Sequence, residues 1–133
     1  MPAKILIVDD DPDFLFVLNR ILTKDGHEVI QAEDGAEGLK IAESEKPDMV
    51  FLDVMMPDMN GWEVCKRLKA ASPNLPVSMC SVLSEPEDIE KSIRFSGADD
   101  HLTKPLSFNK VLDAVSHFQS GPHIQEETIP ILR

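Results

Sequence analysis

Cysteine is scarce in this chain. Only Cys65 and Cys80 occur. They are too far apart for a CxxC pair and lack neighbouring ligands, which argues against a disulfide framework or a zinc site. Both are read as reduced, mostly buried small hydrophobes. Positive charge is scarce too, with 13 Lys and Arg against 24 Asp and Glu, a net charge of −11 and a pI near 4.6. The clustered bases that grip a nucleic-acid backbone are missing, so direct nucleic-acid binding is not expected. No stretch approaches the roughly 20 apolar residues of a membrane span. Met1-Pro-Ala-Lys4 runs straight into a strand-like segment and leaves no room for a signal peptide, so a cytoplasmic location is expected. There is no internal repeat and no low-complexity tract. What is present, 133 residues of which 42% are hydrophobic and 28% charged, suits one ordinary globular domain.

Short apolar runs alternate with longer amphipathic stretches, the βαβ pattern of a parallel sheet covered on both faces. Five such units fit, and the expected fold is α/β: a doubly wound, flavodoxin-like sheet of five parallel strands in the order 2-1-3-4-5 with five helices. The first strand is Lys4-Ile-Leu-Ile-Val8. A helix follows with Asp11 as N-cap and Pro12 at its first position, turning Phe14, Val17, Leu18, Ile21 and Leu22 inward and stopping at Gly26. Glu28 to Gln31 is the second strand, Gly35 to about Glu45 the second helix, and Met49 to Leu52 the third strand. A turn-rich loop through Pro57 and Asn60-Gly61 leads into a helix from Trp62 to about Ala71. The fourth strand is Val77 to Cys80. A helix opened by Pro86 is closed by Gly97, the fifth strand spans about His101 to Thr103, and the last helix carries Phe108, Val111, Leu112, Val115 and Phe118. From Ser120 the composition changes. Residues 1–119 are read as the domain and 120–133 as a linker or C-terminal extension, either leading toward a further domain or ending in an ordinary frayed terminus.

Charged residues end three of the apolar runs: Asp9-Asp10 follow the first, Asp53 the third and Lys104 the fifth. In open α/β sheets the chemistry gathers at the carboxyl ends of the strands, so these residues should share one rim. Neighbouring strands lie about 4.8 Å apart, close enough for Asp9, Asp10 and Asp53 to bind one ion. An all-oxygen set selects a hard cation, and Mg²⁺ is the natural choice. An aspartate can also attack phosphorus to give an aspartyl phosphate, with Lys104 and the Ser81 hydroxyl placed to meet its oxygens.

At this point the chain resembles the receiver domains of two-component response regulators. The resemblance rests on Ile5-Leu-Ile-Val-Asp-Asp10, on Leu52-Asp-Val-Met-Met-Pro-Asp-Met-Asn-Gly61, on the hydroxyl of Ser81 and on Lys104-Pro105, in order and in register from about Lys4 to Phe118. It implies that Asp53 is phosphorylated by a histidine kinase or a phosphotransfer protein. It makes Asp9, Asp10, Asp53 and the Met55 backbone carbonyl the Mg²⁺ site, Lys104 the phosphate partner, and Ser81 with His101 the switch. The Lys104-Pro105 bond should be cis. The altered face would lie over the fourth helix, fifth strand and fifth helix and act on a downstream output domain or protein. A homodimer through that face is possible, although nothing in the chain demands it.

Ser81 stands where the family more often has threonine, and Val82 where it generally has a small residue, which should narrow access to Asp53. Met55 and Leu83, two residues beyond Asp53 and Ser81, are apolar and cannot orient an attacking water, so slow self-hydrolysis is expected. Asp11 alone is read as a helix cap. His27, His117 and His123 are read as surface residues, and Met55, Met56 and Met59 as loop packing. A phosphatase of the haloacid-dehalogenase type is the alternative, but it wants Asp-x-Asp followed by Thr or Val, and here Pro12 follows Asp9-Asp-Asp11. A flavodoxin-like FMN carrier fails on its first loop, which is acidic and would repel phosphate.

Overall fold

The computed structural model describes residues 2–128, with side chains described through Gln119. Five strands, β1 (Lys4–Val8), β2 (Glu28–Ala32), β3 (Met49–Asp53), β4 (Val77–Ser81) and β5 (Asp100–Thr103), form one parallel sheet in the order β2-β1-β3-β4-β5. Five helices connect and follow them: α1 (Pro12–Lys24), α2 (Gly35–Glu45), α3 (Gly61–Ala71), α4 (Pro86–Glu90) and α5 (Phe108–Thr128). The expected doubly wound architecture is therefore present, and its switch point falls between β1 and β3.

Side chains alternate across the sheet, so each central strand feeds two cores. Ile5, Ile7, Met49 and Phe51 face one side and pack with Leu15, Leu18 and Leu22 of α1 and Val111 and Val115 of α5. Leu6, Val8, Val50 and Leu52 face the other and pack with Val64, Cys65 and Leu68 of α3. Burial on both faces is what lets β1 and β3 read as nearly continuous apolar runs. Each large side chain taken fully from water, such as Phe51 or Leu18, contributes about 1.5–3 kcal/mol. Both cysteines are buried and free.

α1 opens as its sequence predicts: the Asp11 side chain accepts from the Asp13 N–H at 3.0 Å, and Pro12 sits at the first position. It ends at Asp25 before Gly26, whose φ of 94° only glycine adopts cheaply. Several local expectations need correction. Val17, predicted to face inward, is 54% exposed, and Leu15 takes the buried place on that helix. Phe108 is exposed too. His27 is buried, because its Nδ1 accepts from the Ala3 N–H at 2.9 Å while Nε2 meets Asp25 at 3.1 Å, and this ties the start of β1 to the turn before β2. The fourth helix is α-helical only to Glu90 and continues as a π turn over Lys91–Phe95, where the Ser96 N–H reaches Lys91 O at 2.9 Å. α5 runs past the predicted break at Ser120 to Thr128. The His123 side chain and residues 129–133 lie outside what the structure describes.

Candidate functional site

Asp9 directly follows β1 and Asp53 ends β3. Because Val8 pairs with Leu52, the two carboxylates emerge side by side at the switch point. Ligand oxygens of Asp9, Asp10 and Asp53 all lie within 4.8 Å of one another. Asp9 and Asp53 are buried, and Asp10 is exposed at the rim. Asp9 is held at both oxygens: Oδ1 accepts from the Asp11 N–H at 2.9 Å and Oδ2 from Lys104 Nζ at 2.7 Å. Lys104 Nζ also stands 3.8 Å from Asp53 Oδ1 and 4.1 Å from the centre of the Phe14 ring. The Lys104-Pro105 bond is cis, as the resemblance implies.

Three carboxylates with one ammonium leave an excess of negative charge in a crevice where Asp9 and Asp53 are buried, and burial and charge together shape the titration. Burial first, then the neighbouring charge of Asp9, push the Asp53 carboxyl up to about 6, against the pull of Lys104 and of the Met55 backbone N–H. Burial pushes Asp9 up as well, against the pull of Lys104 and of the Asp11 N–H. For Lys104, burial works against its charge, but the Asp9 hydrogen bond and the charge of Asp53 outweigh it and raise the ammonium. Carboxylate oxygens in this number are a donor set for a hard divalent cation, so the residues fit Mg²⁺.

The loop after Asp53 is pinned from two sides. Gly61 packs so tightly that a Cβ there would lie 2.0 Å from Asp53 O, and its N–H donates to Val54 O at 2.7 Å, so no other residue fits. Asp58 accepts from the Gly35 and Ala36 N–H groups of α2, both at 3.0 Å. These bonds, the Gly35 bond foremost, hold its carboxyl below the usual range. Met56 and Met59 pack on the core as predicted, whereas Met55 is 55% exposed.

Ser81 is buried at the end of β4, paired in register with Thr103. Its Oγ accepts from the Leu83 N–H at 3.1 Å, which leaves its proton for another acceptor. Val82 is 64% exposed beside the site, and Leu83 turns back onto the core. His101 does not stand alone on its strand. Its Nε2 lies 2.8 Å from Leu83 O, and its Nδ1 lies 2.7 Å from the hydroxyl of Ser92, which also receives the Trp62 Nε1–H at 2.9 Å. Trp can only donate and a carbonyl can only accept. The Leu83 carbonyl can therefore only accept from Nε2, and Nδ1 shares its hydrogen bond with the same hydroxyl that receives the Trp62 N–H.

The sequence reading missed Phe14, Asp58, Ser92 and Trp62 as supports of this site. Ser92 and Ser96 in an otherwise amphipathic helix were the available signal, since both are buried.

A doubly wound sheet with an acidic crevice at its switch point and a lysine on the far strand defines a phosphoryl-transfer class of site. The family model "response regulator receiver domain" matches residues 5–116. Over 111 residues the chain is 43% identical to the alkaline phosphatase synthesis transcriptional regulatory protein PhoP of Bacillus subtilis, covering 84% of this chain and 46% of that protein. It is 36% identical to sporulation initiation phosphotransferase F of the same organism (89% and 94% covered) and 34% identical to PilH of Pseudomonas aeruginosa (90% and 99%). A CheY-like receiver domain structure from Methanospirillum hungatei superposes with a TM-score of 0.87 at 28% identity, over 94% of this chain and 99% of that one. The chain belongs to the response regulator receiver domain family, whose members are signalling phosphoacceptors. It spans about half the length of PhoP and nearly all of PilH. The phosphatase alternative is not favoured by these matches. Among the described residues no helix is long and apolar enough to cross a membrane.

Proposed function

We propose that Asp53 accepts a phosphoryl group from the phosphohistidine of a histidine kinase or phosphotransfer protein. The observation that carries this reading is a buried Asp53 beside Asp9 at the switch point, with the Lys104 ammonium bridging the two. An Asp53 oxygen attacks phosphorus, the phosphorus–nitrogen bond breaks, and the imidazole leaves with its electron pair. Lys104 turns from Asp9 toward one phosphoryl oxygen, and the Ser81 hydroxyl donates a hydrogen bond to another. When bound at Asp9, Asp10, Asp53 and the Met55 carbonyl, Mg²⁺ supplies the charge that offsets the incoming oxygens. Residues 1–119 form the receiver unit, 120–133 are its linker or extension, and the setting is cytoplasmic.

The switch follows from the same contacts. Leu83 is bonded through its N–H to Ser81 and through its carbonyl to His101. Drawing Ser81 toward a phosphoryl group therefore pulls on His101 and, through Ser92, on the π turn after α4. The α4–β5–α5 face is what an output domain, a partner protein or a second copy would read.

Intact-mass measurement after incubation with acetyl phosphate and Mg²⁺ tests the proposal. One phosphoryl adduct is expected, lost in Asp53→Asn and without metal; an adduct that survives Asp53→Asn would place the acceptor elsewhere. Decay of that adduct should be slow, because exposed Met55 and core-packed Leu83 offer water no hydrogen bond. A Met55→Asn, Leu83→Glu double variant should lose phosphate faster, and an unchanged half-life would sink this account of its lifetime.

A further inference from the structure

Resting on that assignment of Asp53 and Lys104, we propose that Phe14 is a positioning residue for phosphoryl transfer, its ring face serving as the seat of the Lys104 ammonium. Nζ stands 2.7 Å from Asp9 Oδ2, 3.8 Å from Asp53 Oδ1 and 4.1 Å from the Phe14 ring centre. The first two change character when a phosphoryl group is added, since Asp53 becomes an acyl phosphate and Lys104 must exchange Asp9 for a phosphoryl oxygen. The ring does not change. A lysine stem has four rotatable bonds and a strongly hydrated head, so an ammonium released from Asp9 would otherwise swing into water. A ring face attracts the cation through its quadrupole and takes none of its N–H donors from the phosphoryl oxygens. The surroundings suit this role: Phe14, Val82, Pro105 and Leu106 line a cavity of about 440 Å³ beside Lys104, whose side chain is only 15% exposed. Phe14 stands in the first turn of α1, three residues after the Asp11 cap, so the helix start that orients Asp9 also orients the ring.

Phe14 also touches the core shared with α5, and the test must separate that packing from its action on Lys104. Four proteins do so: the parent, Phe14→Leu, Phe14→Tyr and a chain carrying pentafluorophenylalanine at 14, which keeps the ring's shape and inverts its quadrupole. In metal-free protein, the Lys104 ε-methylene protons should resonate upfield through the ring current in the parent and the Tyr variant and lose that shift in Leu. Phosphorylation of Asp53 by acetyl phosphate, followed by intact mass, should slow about 2- to 30-fold in the Leu and pentafluoro proteins, the span of a cation–π contact between exposed and desolvated settings. The Tyr variant should stay within about 2-fold of the parent, since it keeps the ring face. Parent-like rates in both the Leu and the pentafluoro proteins, or ε-protons unmoved in Leu, overturn the inference while leaving Asp53 as acceptor. A parent that takes no phosphoryl group overturns the Asp53 assignment, and this inference with it.

Discussion

At the ends of β1 and β3 the protein buries charge: Asp9 and Asp53 lie out of water with Lys104 between them and Asp10 at the mouth. At the β4–β5 edge it links polar groups to one another, with Trp62, Ser92, His101 and the Leu83 carbonyl forming one hydrogen-bonded chain. The two regions share one sheet and lie only a strand or two apart. The charged rim is out of balance by itself, three carboxylates to one ammonium, and burial first, then the charge of Asp9, raise the Asp53 carboxyl there. Such a region gains by taking in a cation and a phosphoryl group. The relay is already hydrogen-bonded from end to end, so it can rearrange only by exchanging one bond for another. One region creates the demand for a ligand, and the other offers discrete arrangements through which that demand can be reported.

If the rim depends on its single ammonium, Lys104→Met should be the most damaging of the changes that separate the two regions. It leaves Asp9 and Asp53 buried without their counter-charge, and breaking a buried pair from one side costs about 3–5 kcal/mol. Urea unfolding of metal-free protein at neutral pH should show a loss of that size, part of which Mg²⁺ should restore by binding only the folded form. A variant within about 0.5 kcal/mol of the parent, the ordinary range for a surface substitution, would mean that water already shields the carboxylates and would dissolve the contrast between the two regions.

The rim was the more legible region in the sequence, and the reason is geometric. A buried parallel strand announces itself as an apolar run, and the residue after it must lie at the carboxyl edge, so Asp9, Asp53 and Lys104 could be brought together from position alone. No such rule governs the relay. Trp62 and Ser92 lie 30 residues apart, and only the π turn directs Ser92 inward. His27 escaped for the same reason, since its partner Ala3 lies 24 residues away, just before β1. Val17 shows a different limit: an apolar residue at the margin of a helical stripe can face either way, and here Leu15 took the inner place. Phe14 was read correctly as inward-facing, but its neighbour Lys104 became visible only in three dimensions.

A second prediction sharpens the rim half of the comparison. Folding holds Asp53 near 6, above its ordinary 3.8. Between those values the folded protein binds a proton that the unfolded chain has released, so stability falls as pH rises through this window. At about 1.36 kcal/mol per unit, Asp53 accounts for about 3 kcal/mol at most. Metal-free Asp53→Asn should lack this segment of the stability curve and be the more stable protein at neutral pH. Curves that run parallel from pH 4 to 7 would remove the charge imbalance as an explanation.

The smallest expected effect falls on the relay. Ser92→Ala removes the hydroxyl that accepts from Trp62 and is hydrogen-bonded to His101 Nδ1, leaving both without that partner at a fully buried position. The cost should be about 1–3 kcal/mol in unfolding free energy, with the emission of Trp62, the only tryptophan in the chain, shifted in the folded state. The rim is untouched, so Asp53 should still be phosphorylated at the parent rate. What should change is the report: in the parent, Trp62 emission responds when Asp53 is phosphorylated, and in Ser92→Ala that response is lost. If emission responded equally in both proteins, movement would reach α3 by another route, and His101 would be an ordinary half-buried side chain whose hydrogen bonds merely fill its edge of the sheet.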